Sequence, residues 1–317
     1  MKNKKIVITG GAGFIGSQLV IRLVETGNRV IVLDSLIRGN KIPKEFLDQI
    51  ELVVADVCDK DAVEKAVRGC DLIFHFAAIL GVDIVADNPV ETMEVEFLGA
   101  KNVADAAIKY NVEKVVYAST SGVYGKRDME HAATEDGASS PTTSYAIAKR
   151  FNEVYLKSLF EEKGLESVAI RYFNVYGLRQ DARMVIPRFF KQAIHGVDIT
   201  VYGNGKQTRD FTFVDEAVEA TILLAEKSKG AEIYNVAREE EFSIASLAER
   251  INQLCGGKSN VRLVDLPGGR YDFEVDKRVG NSDKLFRKTG FKPTLTIDKG
   301  LTLVAPHYNE FFAQKGL

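Results

Sequence analysis

Residues 5–34, KIVITGGAGFIGSQLVIRLVETGNRVIVLD, decide the fold. Lys5–Thr9 is a short apolar run with the pattern of a buried parallel strand. Gly10, Gly13 and Gly16 follow three apart, at a turn and at the mouth of a helical pattern. Such a turn leaves bare backbone N–H groups at a helix N-terminus, where a pyrophosphate can lie. A Cβ at Gly10 or Gly13 would obstruct the turn and the approach of phosphate oxygens. A second strand, RVIVLD, then closes on Asp34. A carboxylate there accepts hydrogen bonds from the adenosine ribose hydroxyls and repels a 2′-phosphate, so the chain is expected to take NAD rather than NADP. Arg38, four residues on, is the one group placed to argue for NADP. A glycine triplet alone is weak; strand before, helix after and acid at the next strand end supply the context it needs.

Outward from this unit, strand and helix patterns alternate. IELVVAD, DLIFHFAA and EKVVYAST are apolar runs rich in β-branched residues and, with RVIVLD, read as strands buried on both faces. Helical stretches lie near 14–26, 60–67, 89–110 and 143–163, and ESVAIRYFNVYG reads as one further strand. The alternation predicts an α/β fold with a doubly wound parallel sheet. Beyond Val175 the pattern is mixed, with helices near 186–195, from 215, and near 243–254, 282–288 and 297–314. The expected organisation is a dinucleotide-binding domain over 1–174 and a smaller, mainly substrate-binding part over 175–317, some elements of which return to the sheet. Ligands would sit in the crevice between them.

The chain has 317 residues, 45% hydrophobic and 27% charged, with a net charge of −2. That balance argues against a nucleic-acid partner. The apolar runs are strand-sized, which argues against a membrane span, and the N-terminus lacks a signal-peptide pattern. Cys58, Cys70 and Cys255 are scattered and odd in number, pointing to buried thiols in a reducing, cytoplasmic compartment. No cluster has metal-ligand spacing, and His75, His131, His195 and His307 stand isolated.

Tyr145 and Lys149, in SYAIAKR, are one helical turn apart and share a face. A free tyrosine has a pKa of about 10, so ionisation near neutrality requires about 4 kcal/mol. A cation ~5 Å away at an effective dielectric of ~20 supplies roughly 3 kcal/mol, and a nicotinamide cation would supply the rest. Tyr145 would then take a proton from a sugar hydroxyl while hydride leaves the same carbon.

These residues, with ADVCD at 55–59, FHFAA at 74–78, STSGVYG at 119–125, RYFNVYG at 171–177 and VYGNGKQTRDFTFVDE at 201–216, resemble the extended short-chain dehydrogenases, the NAD-dependent nucleotide-sugar epimerase/dehydratase family. The likeness spans essentially the whole chain. It implies that Asp56 and Val57 flank adenine, that Ala77 and Ala78 line the cofactor, and that Phe14, Ile15 and Tyr172 belong to the same site. It implies that Thr120 binds the reacting hydroxyl beside Tyr145. It also implies that Asn174, Arg209 and Arg270 hold the phosphates of a UDP-type nucleotide sugar, with Val185 lining that site. Tyr202 is either a contact to the base or a core aromatic, and Arg278 lies in a stretch that in this family can reach the sugar. Members tend to form homodimers through helices equivalent to 89–110 and 143–163.

Two positions depart from the family. Its dehydratases carry Asp–Glu after the threonine and its UDP-glucuronate decarboxylases carry Ser–Glu; this chain has Ser121–Gly122. What remains suits 4-epimerisation, with a decarboxylase, dehydratase or reductase as alternatives within the family and an NAD-binding scaffold outside it. Second, Glu96 stands where the family has Asn, ahead of Phe97-Leu98-Gly99.

Overall fold

The computed structural model describes residues 1–79, 85, 87–125, 131–265 and 275–314. Seven strands form the large sheet: β1 (Lys5–Thr9), β2 (Arg29–Asp34), β3 (Ile50–Val54), β4 (Leu72–His75), β5 (Lys114–Thr120), β6 (Ser167–Tyr172) and β10 (Ala231–Val236). Their order is β10-β6-β5-β4-β1-β2-β3, and every pairing is parallel. The strand order reverses between β1 and β4, so the crevice for a ligand opens there, at the carboxyl ends of the strands.

Both faces of the sheet are covered. On one, Leu19, Val20 and Leu23 of the Phe14–Glu25 helix and Ala217, Val218 and Leu224 of the Val214–Lys227 helix pack on Ile6, Ile8, Phe74 and Ile170. On the other, the helices Lys60–Val67, Pro89–Lys109 and Ser144–Lys163 cover Val7, Ile73, Val115 and Tyr117. Strands covered on two faces read as continuous apolar runs, which is why β1, β2, β4 and β5 stand out in the sequence. β3 differs: it is the end strand, bonded to β2 alone, and Val54 is 62% exposed. The expectation that it is buried on both faces is therefore corrected.

The stretch read as one strand, 166–177, is two. β6 ends at Tyr172, the chain turns at Phe173, and β7 (Asn174–Tyr176) joins a different sheet by pairing with β9 (Thr208–Phe213). That small sheet also holds β11 (Glu241–Ser243) and β13 (Lys277–Arg278), and β8 (Ile199–Tyr202) pairs separately with β12 (Val261–Val264). The helices Val185–Ile194, Ile244–Leu254 and Ile297–Ala313 close a third core around Phe189, Phe190, Leu247, Leu301 and Tyr308. β10 and the Asp283–Thr289 helix, although late in the chain, pack on the large sheet.

No helix among the described residues is long and apolar enough to cross a membrane, and no His/Cys/Asp/Glu grouping among them could hold a metal. The three cysteines are unpaired; Cys70 is buried, but Cys58 and Cys255 are only half-buried, which corrects the expectation of buried thiols for those two. Burial pushes their thiols up, to about 12 at Cys58 and Cys70 and about 11 at Cys255.

Candidate active site

The turn after β1 is built as its glycines require. Gly10 has φ +68°, and a Cβ on it would lie 2.5 Å from the Ala77 nitrogen. The backbone after β4 is thus pressed against the turn, with Ala77 N–H donating to Thr9 Oγ1 at 3.3 Å. Gly13 precedes the Phe14–Glu25 helix, and no side chain caps that N-terminus. The N–H groups of its first turn, at Phe14 and Ile15, are the donors an anion would use. Asp34 stands across from them, accepting from Ala12 N–H (3.0 Å) and Leu36 N–H (2.9 Å). Burial raises its pKa. An uncapped helix mouth, a crowded glycine turn and a carboxylate at the next strand end fit a dinucleotide. Further round, Asp56 is exposed and accepts from Cys58 N–H, Val57 is buried against Gly99, and Ala78 is half-buried.

The candidate reacting groups come from two neighbouring elements. Thr120 ends β5 and caps the 3₁₀ turn Ser121–Tyr124, its Oγ1 accepting from Gly122 N–H at 3.1 Å. Tyr145 and Lys149 sit in the first two turns of the Ser144–Lys163 helix, which Thr143 caps through Ala146 N–H. A Cβ on Gly122 would meet Ala146 Cβ and Thr120 Oγ1, each at 3.3 Å. Gly122 thus sits between Thr120 and the turn of helix that carries Tyr145. Lys149 Nζ lies 5.4 Å from the centre of the Tyr145 ring and 4.8 Å from that of Tyr117.

Lys149 does not act on Tyr145 alone. Its Nζ is 3.0 Å from Oε2 of Glu96, and both side chains are buried. Burial, and after it the Glu96 carboxylate, push the Tyr145 hydroxyl well above the usual tyrosine range. The expectation that an unopposed lysine cation supplies most of the ionisation energy is corrected: the cation is matched by an anion a few ångströms away. Sequence reasoning noted Glu96 but had no means of placing it. It also missed the ring of partners around it. Asn152 Nδ2 donates to the Glu96 carbonyl (3.0 Å) and to Tyr117 Oη (2.9 Å), and Tyr117 Oη lies 3.5 Å from Glu96 Oε2. Beneath them Glu153 accepts two bonds from Arg171 (2.9 and 2.8 Å) and one from Ser119 Oγ (2.6 Å), locking β5, β6 and the helix together. The i,i+3 and i,i+4 spacing of Asn152 and Glu153 from Lys149 was the available signal.

The remaining assignments are spread wider. Tyr172 is buried in β6, its hydroxyl bonded to Thr221 Oγ1 at 2.6 Å and its ring edge-on to Phe76, so that hydroxyl is committed within the core. Asn174 is exposed at the start of β7. Arg209 and Arg278 are register partners on β9 and β13, and Arg209 Nη1 also donates to the Thr208 and Val275 carbonyls. Val185 opens its helix beside the third core. Tyr202 is half-buried with the Arg188 guanidinium 4.7 Å over its ring. Arg270 lies outside the described residues. His75, far from free, is buried, is hydrogen-bonded to Thr9 Oγ1 through Nδ1 (2.7 Å) and packs beside Tyr117.

The family described as NAD dependent epimerase/dehydratase matches residues 6–237. The chain belongs to that family. As a member of the epimerase/dehydratase family it is an NAD-dependent enzyme of the sugar-nucleotide class, with NAD as its cofactor. It is 38% identical over 310 residues to a UDP-N-acetyl-α-D-glucosaminuronate decarboxylase of Bacillus cytotoxicus, covering 94% of this chain and 95% of that protein. Its fold matches a crystal structure of UDP-glucose 4-epimerase with UDP-glucose from Thermotoga maritima, at TM-score 0.90 and 29% identity over 97% and 99% of the two chains. It also matches a Thermus thermophilus UDP-glucose 4-epimerase in complex with NAD, at TM-score 0.88 and 31% identity over 96% and 98%. The family, the parallel sheet and the cofactor expected from the sequence are thereby established.

Proposed function

We propose that the protein is a nucleotide-diphosphate-sugar 4-epimerase, and the observation that carries this reading is Gly122. Elimination across C5 and C6 asks for an acid and a base beside the hydroxyl-binding threonine. Here that position has no side chain, and even a Cβ would press on Thr120 and Ala146. Thr120 and Tyr145 are left to handle one hydroxyl and one proton. NAD, when bound, would supply a hydride acceptor and donor for the sugar's C4 carbon. Thr120 Oγ1 holds the C4 oxygen, Tyr145 takes its proton and later gives it back, and Lys149 orients the pair. Asn174, Arg209 and Arg270 are proposed to grip the diphosphate, the arginines because a guanidinium fork matches phosphate oxygens.

A second reading is decarboxylation of a nucleotide hexuronate, which the Bacillus relative favours. A 4-keto-hexuronate is a β-keto acid and loses CO₂ without a neighbouring carboxylate, so both reactions begin with the same oxidation. Incubation with UDP-, dTDP- and GDP-sugars, uronates included, followed by NMR of the products, separates them. The expected product is the C4 epimer, with deuterium placed at C4 retained. A UDP-pentose with CO₂ release establishes the second reading, and a stable 4-keto-6-deoxy sugar refutes both. In the same assay Tyr145→Phe is expected to lose roughly 10²–10⁴-fold in rate.

The proposal includes a homodimer in a reducing, cytoplasmic setting. Val90, Met93 and Leu98 of one helix and Ile147, Phe151 and Val154 of its neighbour are exposed apolar side chains on a paired-helix face. A second copy would turn that face into a four-helix bundle. Three unpaired cysteines fit the compartment.

A further inference from the structure

One buried charge has no place in the chemistry above. Glu96 lies on the Pro89–Lys109 helix with its side chain wholly enclosed. Its Oε2 is 3.0 Å from Lys149 Nζ, and its Oε1 has no hydrogen-bond partner among the described residues. A structural ion pair would have its remaining lone pairs satisfied, because an enclosed carboxylate is costly without them. This one has one oxygen held by a cation at 3.0 Å and the Tyr117 hydroxyl at 3.5 Å and the other left unpartnered, and that cation is the group beside the proposed base.

We propose that Glu96 is a positioning residue that balances the charge of Lys149, so that Tyr145 stays a phenol until a positive cofactor ring arrives. The proposal rests on the reading of Tyr145 as the proton-transfer group. A lone ammonium next to a phenol stabilises phenolate; an ammonium–carboxylate pair acts as a dipole, whose effect falls off faster with distance. Burial of the phenol then decides, and it favours the neutral form. The remaining positive charge at the site is the one that comes and goes with the redox state of the nicotinamide. Tyr145 would thus be primed to accept a proton with the oxidised cofactor and to give it up with the reduced one.

The groups facing Glu96 are few. From the Ser144–Lys163 helix come Lys149, Tyr145 and Asn152; from β5 comes Tyr117. Behind Tyr117 lies His75 of β4, its pKa brought down to about 3 by burial and then Lys149, and one turn on from Lys149 the buried Glu153 is paired with Arg171. On the neighbouring Lys60–Val67 helix, Glu64 is occupied by Lys109 at the surface. Removing the Glu96 charge therefore leaves Lys149, 5.4 Å from the centre of the Tyr145 ring, without the carboxylate that pairs with it.

The test is the titration of Tyr145 itself, followed by NMR of protein labelled at tyrosine Cζ, with the resonance assigned from Tyr145→Phe. It is run without nucleotide and again with NAD⁺. In Glu96→Gln the Tyr145 titration is expected to move to lower pH by roughly 1–2 units. NAD⁺ should lower it in the unaltered protein. If Glu96→Gln does not fold, Glu96→Asp, which draws the carboxylate back from Lys149, should show a smaller movement in the same direction. A titration unmoved in the folded variant overturns the proposal. Failure of the underlying reading looks different: Tyr145→Phe would keep full turnover whatever the titration shows.

Discussion

At the scale of single residues the site is set by what burial does to charge. His75 is enclosed in β4, bonded to Thr9 and held neutral, its pKa brought down to about 3 by burial first and Lys149 second. The unfolded chain returns it to about 6.5. A histidine whose folded pKa is depressed contributes stability above its unfolded pKa and loses it as pH falls below that value. Unfolding in urea should therefore show about 2 kcal/mol less stability at pH 5 than at pH 7 from this group alone, a difference absent from His75→Gln. Equal pH dependence in the two proteins would mean that His75 is charged in the fold. At this scale the sequence was informative about chemistry and blind to environment. Tyr145 and Lys149 could be paired by spacing, because four residues are one turn of any helix. Glu96 could not be joined to Lys149, because 53 positions of chain and the crossing of two helices lie between them.

Single helices do double duty, and the Ser144–Lys163 helix shows how. Its inward positions, Lys149, Asn152 and Glu153, are buried and carry the site, while Ile147, Phe151 and Val154 face outward. Phe151 stacks on Tyr155 and meets Phe97 of the adjacent helix edge-on, so the outward face is an organised aromatic patch. If that patch is the dimer contact, Phe151→Asp should yield monomer in sedimentation at micromolar concentration, where the unaltered chain sediments as dimer. A monomer in both cases refutes the homodimer. The main strands and long helices of the first half were legible because they are bounded by turn signals and packed on a two-sided sheet; the four-residue helix Lys44–Leu47 was not. The later ones were not. β11 and β13 have three and two residues, too short for any periodicity. The break between β6 and β7 is a change of sheet at Phe173, itself apolar, with no glycine or proline to mark it.

Taken whole, the molecule is threaded so that neither part is finished without the other. β6 is buried along its full length between β5 and β10, and β10 is drawn from residues 231–236. A fragment of residues 1–174 would strip β6 of that neighbour and the first face of its Val214–Lys227 cover. It is expected to lack a cooperative unfolding transition by calorimetry, whereas the complete chain shows one. An independently folding fragment would establish 1–174 as a free-standing domain. The raised pKa of the thiols has a practical reach of its own. Thiolate, not thiol, attacks a maleimide, and groups held near 11 and 12 are almost wholly protonated at neutral pH. A cysteine introduced on the surface would outpace the buried Cys70, so fluorophores or spin labels can be placed on this chain one at a time with Cys70 left in place, once the half-buried Cys58 and Cys255 are replaced by serine.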